Sequence, residues 1–321
     1  MKMKYLIAIL EILLVSFLGF PKTKTTKKPD AYQLLKQGRE AFYNYDFDNA
    51  ADFYEQYRDA IKKTKQPVAE ELEVWEQELR IAANAFDRVQ KIVILDSLEV
   101  NRDKFFVSYS LAKSSGVIGE FEDIKSKAGM ADKEVAFLSE DGDYLISPVV
   151  VEDNEEEESR LELKEARKLL DGSWELQDLL QDDLDKSGDY AYPFMSGDGQ
   201  TFYFANNGEE SMGGYDIFVA QRDPMNGEFR QPLNLGMPFN SPYDDFMMAI
   251  DEENGIGWWA TDRNSEDGYV TVYIFIWDEV RKNYPDDTEG LDELARITNY
   301  KTTWETGKEQ QYRRLLNKIK H

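Results

Sequence analysis

A period of 55 in the second half of this chain constrains its fold more than any other feature. A gapless shift of 55 lays Phe204-Ala205 on Trp259-Ala260, and Asp216-Ile217-Phe218-Val219 on Thr271-Val272-Tyr273-Ile274. It also lays Asp171-Gly172 on Asn226-Gly227 and Trp174 on Phe229. Asp141-Gly142, Asp198-Gly199 and Asn254-Gly255 recur at nearly the same interval, each between apolar or aromatic segments. Asp-Gly and Asn-Gly accept the positive φ of a tight turn and are the strongest short-range hairpin signal. Each unit therefore reads strand, turn, strand, longer loop, strand, turn, strand.

Four antiparallel strands recurring in this order describe a propeller blade, which cannot bury both faces alone and stacks on its neighbours. The surplus over an ordinary blade falls in the loops "ANNGEESMGG" and "LGMPFNSPYDD". Eighteen Tyr and eighteen Phe, within 41% apolar residues, can fill such a core. Three blades are visible, whereas closed propellers usually have at least four. "KIVILDS" and "FFVSYSL" read as strands, so residues 91–111 are expected to supply missing strands and join the ends. An open, partial propeller is the alternative.

From Asp30 to Gln90 the period is helical. Ala50, Tyr54, Tyr57 and Ile61 fall on one helix face, and Leu34, Gly38, Ala41 and Phe42 on one side of a preceding helix. "NYDFD" breaks the two, and Gly38 lets them approach closely. A third helix is expected to start at Pro67, with a seam of Val68, Leu72, Trp75, Leu79, Ala82, Phe86 and Val89 that covers the pair and docks on the region after it. A coiled coil is the other reading of that seam. Leu34, Gly38, Ala41, Ala50 and Tyr54 match the large-apolar, Gly, apolar, Ala and aromatic positions of the tetratricopeptide repeat, which the segment resembles. Lys62 stands where that motif has proline.

"FMSGDGQTFYFANNGEESMGGYDIFVA" is similar to the WD40-like PD40 repeat through Ser196, Asp198, Gly199, Phe204, Asp216, Ile217 and Phe218. Ser139, Asp141 and Gly142 match its first half, and near Trp259 the strands recur with Thr271 in place of the aspartate. A tetratricopeptide-like module followed by PD40 blades resembles Gram-negative envelope proteins, including the propeller subunit of the Tol–Pal system and periplasmic repeat proteins near type IX secretion machinery. The peptidoglycan-binding OmpA-like domain of some of those proteins has no counterpart in this sequence. The repeat gives Asp216 an architectural role, bonding backbone or loop groups where a blade strand begins, with Gly213 and Gly214 turning the loop into it. Its replacement by Asn is expected to cost stability.

Charge and rare residues exclude much chemistry. The net charge is −25, and six Lys against one Glu in residues 1–29 leave −30 on the remainder. Such a field repels nucleic acid and favours a basic partner. Without cysteine there is no disulfide, thiolate site or lipoprotein-type anchor, and the single histidine, His321, makes His-dependent catalysis or zinc ligation untenable. No phosphate loop, dinucleotide fingerprint or nucleophile elbow occurs. "DDLDKSGDY" places Asp183, Asp185, Ser187 and Gly188 like half of a calcium loop, but Phe194 stands where the closing Glu belongs. "EDNEEEES", residues 152–159, reads as a solvated acidic loop or as a docking surface for a basic partner. Lys2 and Lys4 precede the apolar run Tyr5–Phe20, interrupted by Glu11 and followed by Lys22, Lys24, Lys27 and Lys28. That pattern reads as an export signal, with an uncleaved inner-membrane anchor as the alternative. The basic tail "GKEQQYRRLLNKIKH" carries Tyr312, Leu315, Leu316 and Ile319 on one side, to dock on the acidic body or on a partner.

The expected class is α+β, multidomain: residues 1–29 a signal or anchor, 30–90 a tetratricopeptide-like hairpin with a long third helix, 91–285 a propeller-like domain of four-stranded antiparallel blades, and 286–321 a basic helical tail. The expected function is a non-enzymatic interaction scaffold, periplasmic or outer-membrane-associated, with no catalytic residue, metal or cofactor. Its expected partners are envelope or outer-membrane proteins, and it touches membrane only through its amino-terminal segment if that stays attached. A glycan-binding or carbohydrate-active propeller is the alternative.

Overall fold

The structure, a computed structural model, describes residues 30–130, 134–152, 159–178, 187–285 and 287–319. The amino-terminal apolar run lies outside them. Three helices, α1 (Ala31–Tyr43), α2 (Phe47–Thr64) and α3 (Glu71–Phe86), precede a set of antiparallel sheets, so the architecture is mixed α+β.

The helices pack as their apolar spacing demands. Ala50, Tyr54, Tyr57 and Ile61 of α2 are all buried, against Leu34, Leu35 and Phe42 of α1. A Cβ on Gly38 would lie 2.3 Å from the Tyr54 ring, so a larger side chain there would force the helices apart. Arg39 of α1 pairs with Glu78 of α3 and lies 5.0 Å over the Trp75 ring. The third helix starts at Glu71, not at Pro67, and Val68 is exposed. The preceding backbone is committed elsewhere: Ala69 N–H donates to the Tyr57 hydroxyl at 2.9 Å. The seam docks with Leu72, Leu79 and Ala82 buried, Phe86 edge-on to the Phe47 ring of α2 at 5.6 Å, and Ala85 beside Gly236 of the sheet region.

Three sheets come next. The first has five strands in the order β2-β3-β4-β5-β6: β2 (Val117–Gly119), β3 (Ala136–Leu138), β4 (Tyr144–Glu152), β5 (Ser159–Lys168) and β6 (Trp174–Asp178). It has one strand more than the expected four, because β2 adds to the free edge of β3. The second runs β10-β9-β8-β7: β7 (Tyr190–Met195), β8 (Thr201–Asn206), β9 (Asp216–Gln221) and β10 (Leu233–Asn234). The third runs β1-β13-β12-β11: β11 (Asp245–Asp251), β12 (Ile256–Thr261), β13 (Tyr269–Ile276) and β1 (Ile94–Asn101).

The sequence period holds at the level of hydrogen-bond register. Thr201 pairs with Gln221 and Asn206 with Asp216; one period later, Ile256 pairs with Ile276 and Thr261 with Thr271. The irregularity between Ala191 and Phe194 recurs between Phe246 and Ala249, with Tyr192 (φ 54°) and Met247 (φ 53°) both left-handed. Gly142, Gly199 and Gly255 all take positive φ in the expected hairpin turns. The first sheet shares the design, with a slightly longer shift, in its first hairpin: Phe137 pairs with Ile146 as Phe194 pairs with Tyr203.

An aspartate links each sheet to the next. Asp189 Oδ1 accepts from Leu161 N–H of the first sheet at 2.9 Å, and Asp244 Oδ1 accepts from Tyr215 N–H of the second at 3.0 Å. The same period relates Asp189 to Asp244. Arg102, just beyond β1, clamps Asp244 and Asp262 at 2.8 and 3.1 Å.

Residues 91–111 split. Strand β1 completes the third sheet, pairing antiparallel with β13, for example Leu98 with Val272. "FFVSYSL" is not a strand: Arg102–Ser108 is 3-10 helix, and the chain stays irregular to Lys113. Its aromatic residues reflect burial rather than pairing. Phe105 inserts between Tyr192 of the second sheet and Phe246 of the third, at ring distances of 6.0 and 5.1 Å. Beyond it the chain reaches β2, so this segment runs from the third sheet back to the first.

The far face of the first sheet is covered by α4 (Glu122–Lys127), with Phe121 and Ile124 over Leu145 and Ala166. In the carboxy-terminal segment α5 (Leu291–Arg296) packs on the helical layer, with Ala295 in its core and Arg296 over the Tyr45 ring, and α6 (Glu309–Ile319) docks on the third sheet. Tyr312 is buried there, and Leu315, Leu316 and Ile319 pack against the same core. Trp304 Nε1 donates to Ile94 O at 2.6 Å and Thr303 Oγ1 accepts from Ile94 N at 3.0 Å, which satisfies the start of β1. Helices and sheets also share a core: Met212, Met237 and Ala295 are buried with Leu79 and Ala82.

Candidate functional site

A cleft of about 670 Å³ lies between the first and second sheets, at the hairpin-turn end. Its floor is apolar, from Phe137, Tyr144 and Met195, and its walls are the turns Ser139–Asp141 and Ser196–Gly199 with Lys113–Gly116 across them. The turns are stiff. Asp141 Oδ1 accepts from Ser139 Oγ at 2.5 Å and Asp143 N at 3.1 Å, which lowers its proton affinity below the usual aspartate value. Asp198 Oδ1 accepts from Gln200 N at 2.7 Å and Thr201 N at 2.9 Å.

Two arginines face this space. Arg167, at the end of β5, lies 4.3 Å over the Tyr144 ring. Arg222, just past β9, lies 4.6 Å over the Phe229 ring. Both approach one oxygen, Glu165 Oε2, at 3.9 and 2.9 Å, and the Tyr144 hydroxyl donates to that same oxygen at 2.5 Å. Burial and the neighbouring Glu165 carboxylate push the Tyr144 phenol above its ordinary range. Burial alone would lower the Arg222 pKa, yet Tyr144 and Glu165 hold it above the usual value. Arg222 Nε is buried with no hydrogen-bond partner. The site can hold a planar, acceptor-bearing group between fixed cations over an apolar floor.

Neither arginine stood out in the sequence, nor did Glu165 or Tyr144. One signal was present: the repeat period lays Arg167 on Arg222. In the sheets, however, Arg167 pairs with Tyr144 as Gln221 pairs with Thr201, so the two arginines are not structural equivalents.

Asp216 has the architectural surroundings expected of it. It is fully buried, and its Oδ2 accepts from Met212 N at 2.9 Å and Asn234 Nδ2 at 2.6 Å. Its Oδ1 has no partner, and burial raises its pKa well above the aspartate value. Gly213 and Gly214 serve a different end from the one expected: neither takes a positive φ. A Cβ on Gly213 would lie 2.5 Å from the Pro242 backbone, and one on Gly214 would lie 1.9 Å from Asp244 Oδ1. They permit close approach of the next sheet's loop.

Of the calcium candidates, Asp183 and Asp185 lie outside the described residues. Ser187 Oγ accepts from Glu209 N at 2.9 Å, and Gly188 packs on Asn207 and Gly208, so both belong to the neighbouring loop. Among the described residues no group of three or more acids or histidines could hold a metal ion. Residues 153–158 of the acidic run are likewise outside the description. No helix among the described residues is long and apolar enough to cross a membrane. No family model matches this chain, and no curated protein matches it.

Proposed function

We propose that this chain is a non-enzymatic interaction scaffold of the Gram-negative cell envelope, built from a tetratricopeptide-like hairpin fused to a partial propeller of PD40-like blades. The observation that carries this reading is the shared core. Met212 and Met237, from loops of the sheet region, are fully buried among the helix residues Leu79 and Ala82. A helical surface and a sheet-turn surface are thus held in one fixed relation, as a protein that positions partners requires. The residue-by-residue register of the second and third sheets supports the blade reading, as does the strand β1 that completes the last unit from the chain's other end. Three units with one bridging segment favour an open, partial propeller. The most conspicuous acids, Asp189, Asp216 and Asp244, are engaged by backbone and loop donors, which supports a structural use for them.

The glycan reading draws less support. Sugars stack on bare aromatic faces, but Arg167 occupies one face of Tyr144 in the main cleft. Export rests on the pattern of residues 1–20. Affinity capture from native membrane extract with the full chain, combined with sequencing of the mature amino terminus, tests the scaffold. Specific retention of envelope proteins by a chain that has lost residues 1–20 or so is the expected result. Retention of no protein, or turnover of a sugar substrate, would overturn it.

A further inference from the structure

Arg167 is held in place without being used. Its guanidinium is stacked on Tyr144, its side chain is 49% exposed, and it makes no hydrogen bond among the described residues; its closest acid oxygen is 3.9 Å away. Arg222 spends only Nη2 on Glu165 and Tyr144, leaving Nη1 without a partner and Nε buried and unpaired. Two guanidiniums therefore converge on the single carboxylate of Glu165. These three side chains by themselves carry one positive charge in excess, while Glu140 and Asp141 also line the cleft, inside a chain whose net charge is −25. Lys113 stands at the rim, 83% exposed and 3.7 Å from Glu140.

A guanidinium presents a planar fork of N–H donors that matches a carboxylate, and stacking on a ring fixes the fork before anything binds. Arg222 Nη1, unlike the buried Nε, is open to solvent and is the donor that an arriving acceptor can take up. The cleft, at about 670 Å³, is open and has room for a side chain with its backbone rather than a lone ion only. Its floor of Phe137 and Met195 suits the methylenes of a Glu side chain.

We propose that this cleft, between the first and second sheets, captures a carboxylate side chain of an acidic peptide segment from a partner protein, with Arg167 and Arg222 as the paired fork. The proposal rests on the scaffold reading and assigns it a site and a partner chemistry. The incoming carboxylate restores two anions to two cations.

Calorimetric titration of the full chain with N-acetyl-tetraglutamate amide tests it. The peptide is expected to bind, and N-acetyl-tetraglutamine amide to give no heat. Arg167→Gln, at a half-exposed position, is expected to keep the wild-type melting temperature and to weaken binding about tenfold to a hundredfold, the loss of one charge-assisted pair. Lack of binding at millimolar peptide, equal affinity in R167Q, or tighter binding of glucuronate or inorganic phosphate than of tetraglutamate would each overturn the proposal. Capture from envelope extract separates the two readings. Partners that R167Q retains as well as wild type does overturn the cleft's role and leave the scaffold standing. An extract that yields no partner while tetraglutamate still binds overturns the scaffold and leaves the carboxylate site.

Discussion

Asp216 has one oxygen that accepts from two donors and another that faces no donor at all. Buried this way, the carboxyl holds its proton far more tightly than it would in an unfolded chain. A group with a raised folded-state pKa contributes stability that is complete below about pH 4 and is lost as pH rises. Asp216→Asn removes this titration while keeping the acceptor for Met212 and Asn234. Urea midpoints measured from pH 4 to pH 7 are therefore expected to fall for wild type relative to D216N. The cost expected from sequence alone is then confined to acid, and a gap that widens in the opposite direction would refute the burial argument. Gly38 makes a simpler case. Gly38→Ala sets a methyl carbon into the ring of Tyr54, itself buried, and is expected to cost about 1–3 kcal/mol by chemical denaturation.

At the scale of elements, the carboxy-terminal segment secures the strand that completes the third sheet. Trp304→Ala removes the indole bond to Ile94 O and its packing on Tyr300 and Tyr312. The expected loss is about 2–3 kcal/mol, below the usual range for a fully buried Trp because this ring is partly exposed. Hydrogen exchange should quicken first at Leu95 and Asp96, with β8 unaffected. Strands β7 to β9 and β11 to β13 were legible because apolar alternation, turn residues and period agreed there. "FFVSYSL" was misleading because aromatic enrichment measures burial on a pleated surface, and Phe105 is buried by insertion between sheets instead. Pro67 suits a helix start, yet a tertiary bond from Ala69 to Tyr57 delays the helix to Glu71. The arginine cleft was not legible, since its members come from different sheets and meet only through Glu165 and Tyr144.

Across the whole molecule, helices and sheets are expected to unfold together. Trp75 lies in the helical layer and the other five tryptophans beyond it. Tryptophan emission and far-ultraviolet circular dichroism should therefore report one coincident urea transition. The isolated peptide of residues 30–90, deprived of Met212, Met237 and Ala295, is expected to show less than about half the helicity of the same residues in the full chain. A stably helical fragment with its own transition would contradict the shared core. The pairing of β1 with β13 has a further consequence in time. Asn101 meets Tyr269, more than half the chain away. At synthesis rates of about 5–20 residues per second, β1 emerges about 10–30 s before its ladder neighbour exists. For that interval it is a strand of alternating character, headed by the apolar Ile94 and Leu95, with an open edge that can pair with the wrong chain. A holding chaperone that engages residues 92–100 during synthesis would spare it that fate, and a product that stops short of Tyr269 would never be released from the need.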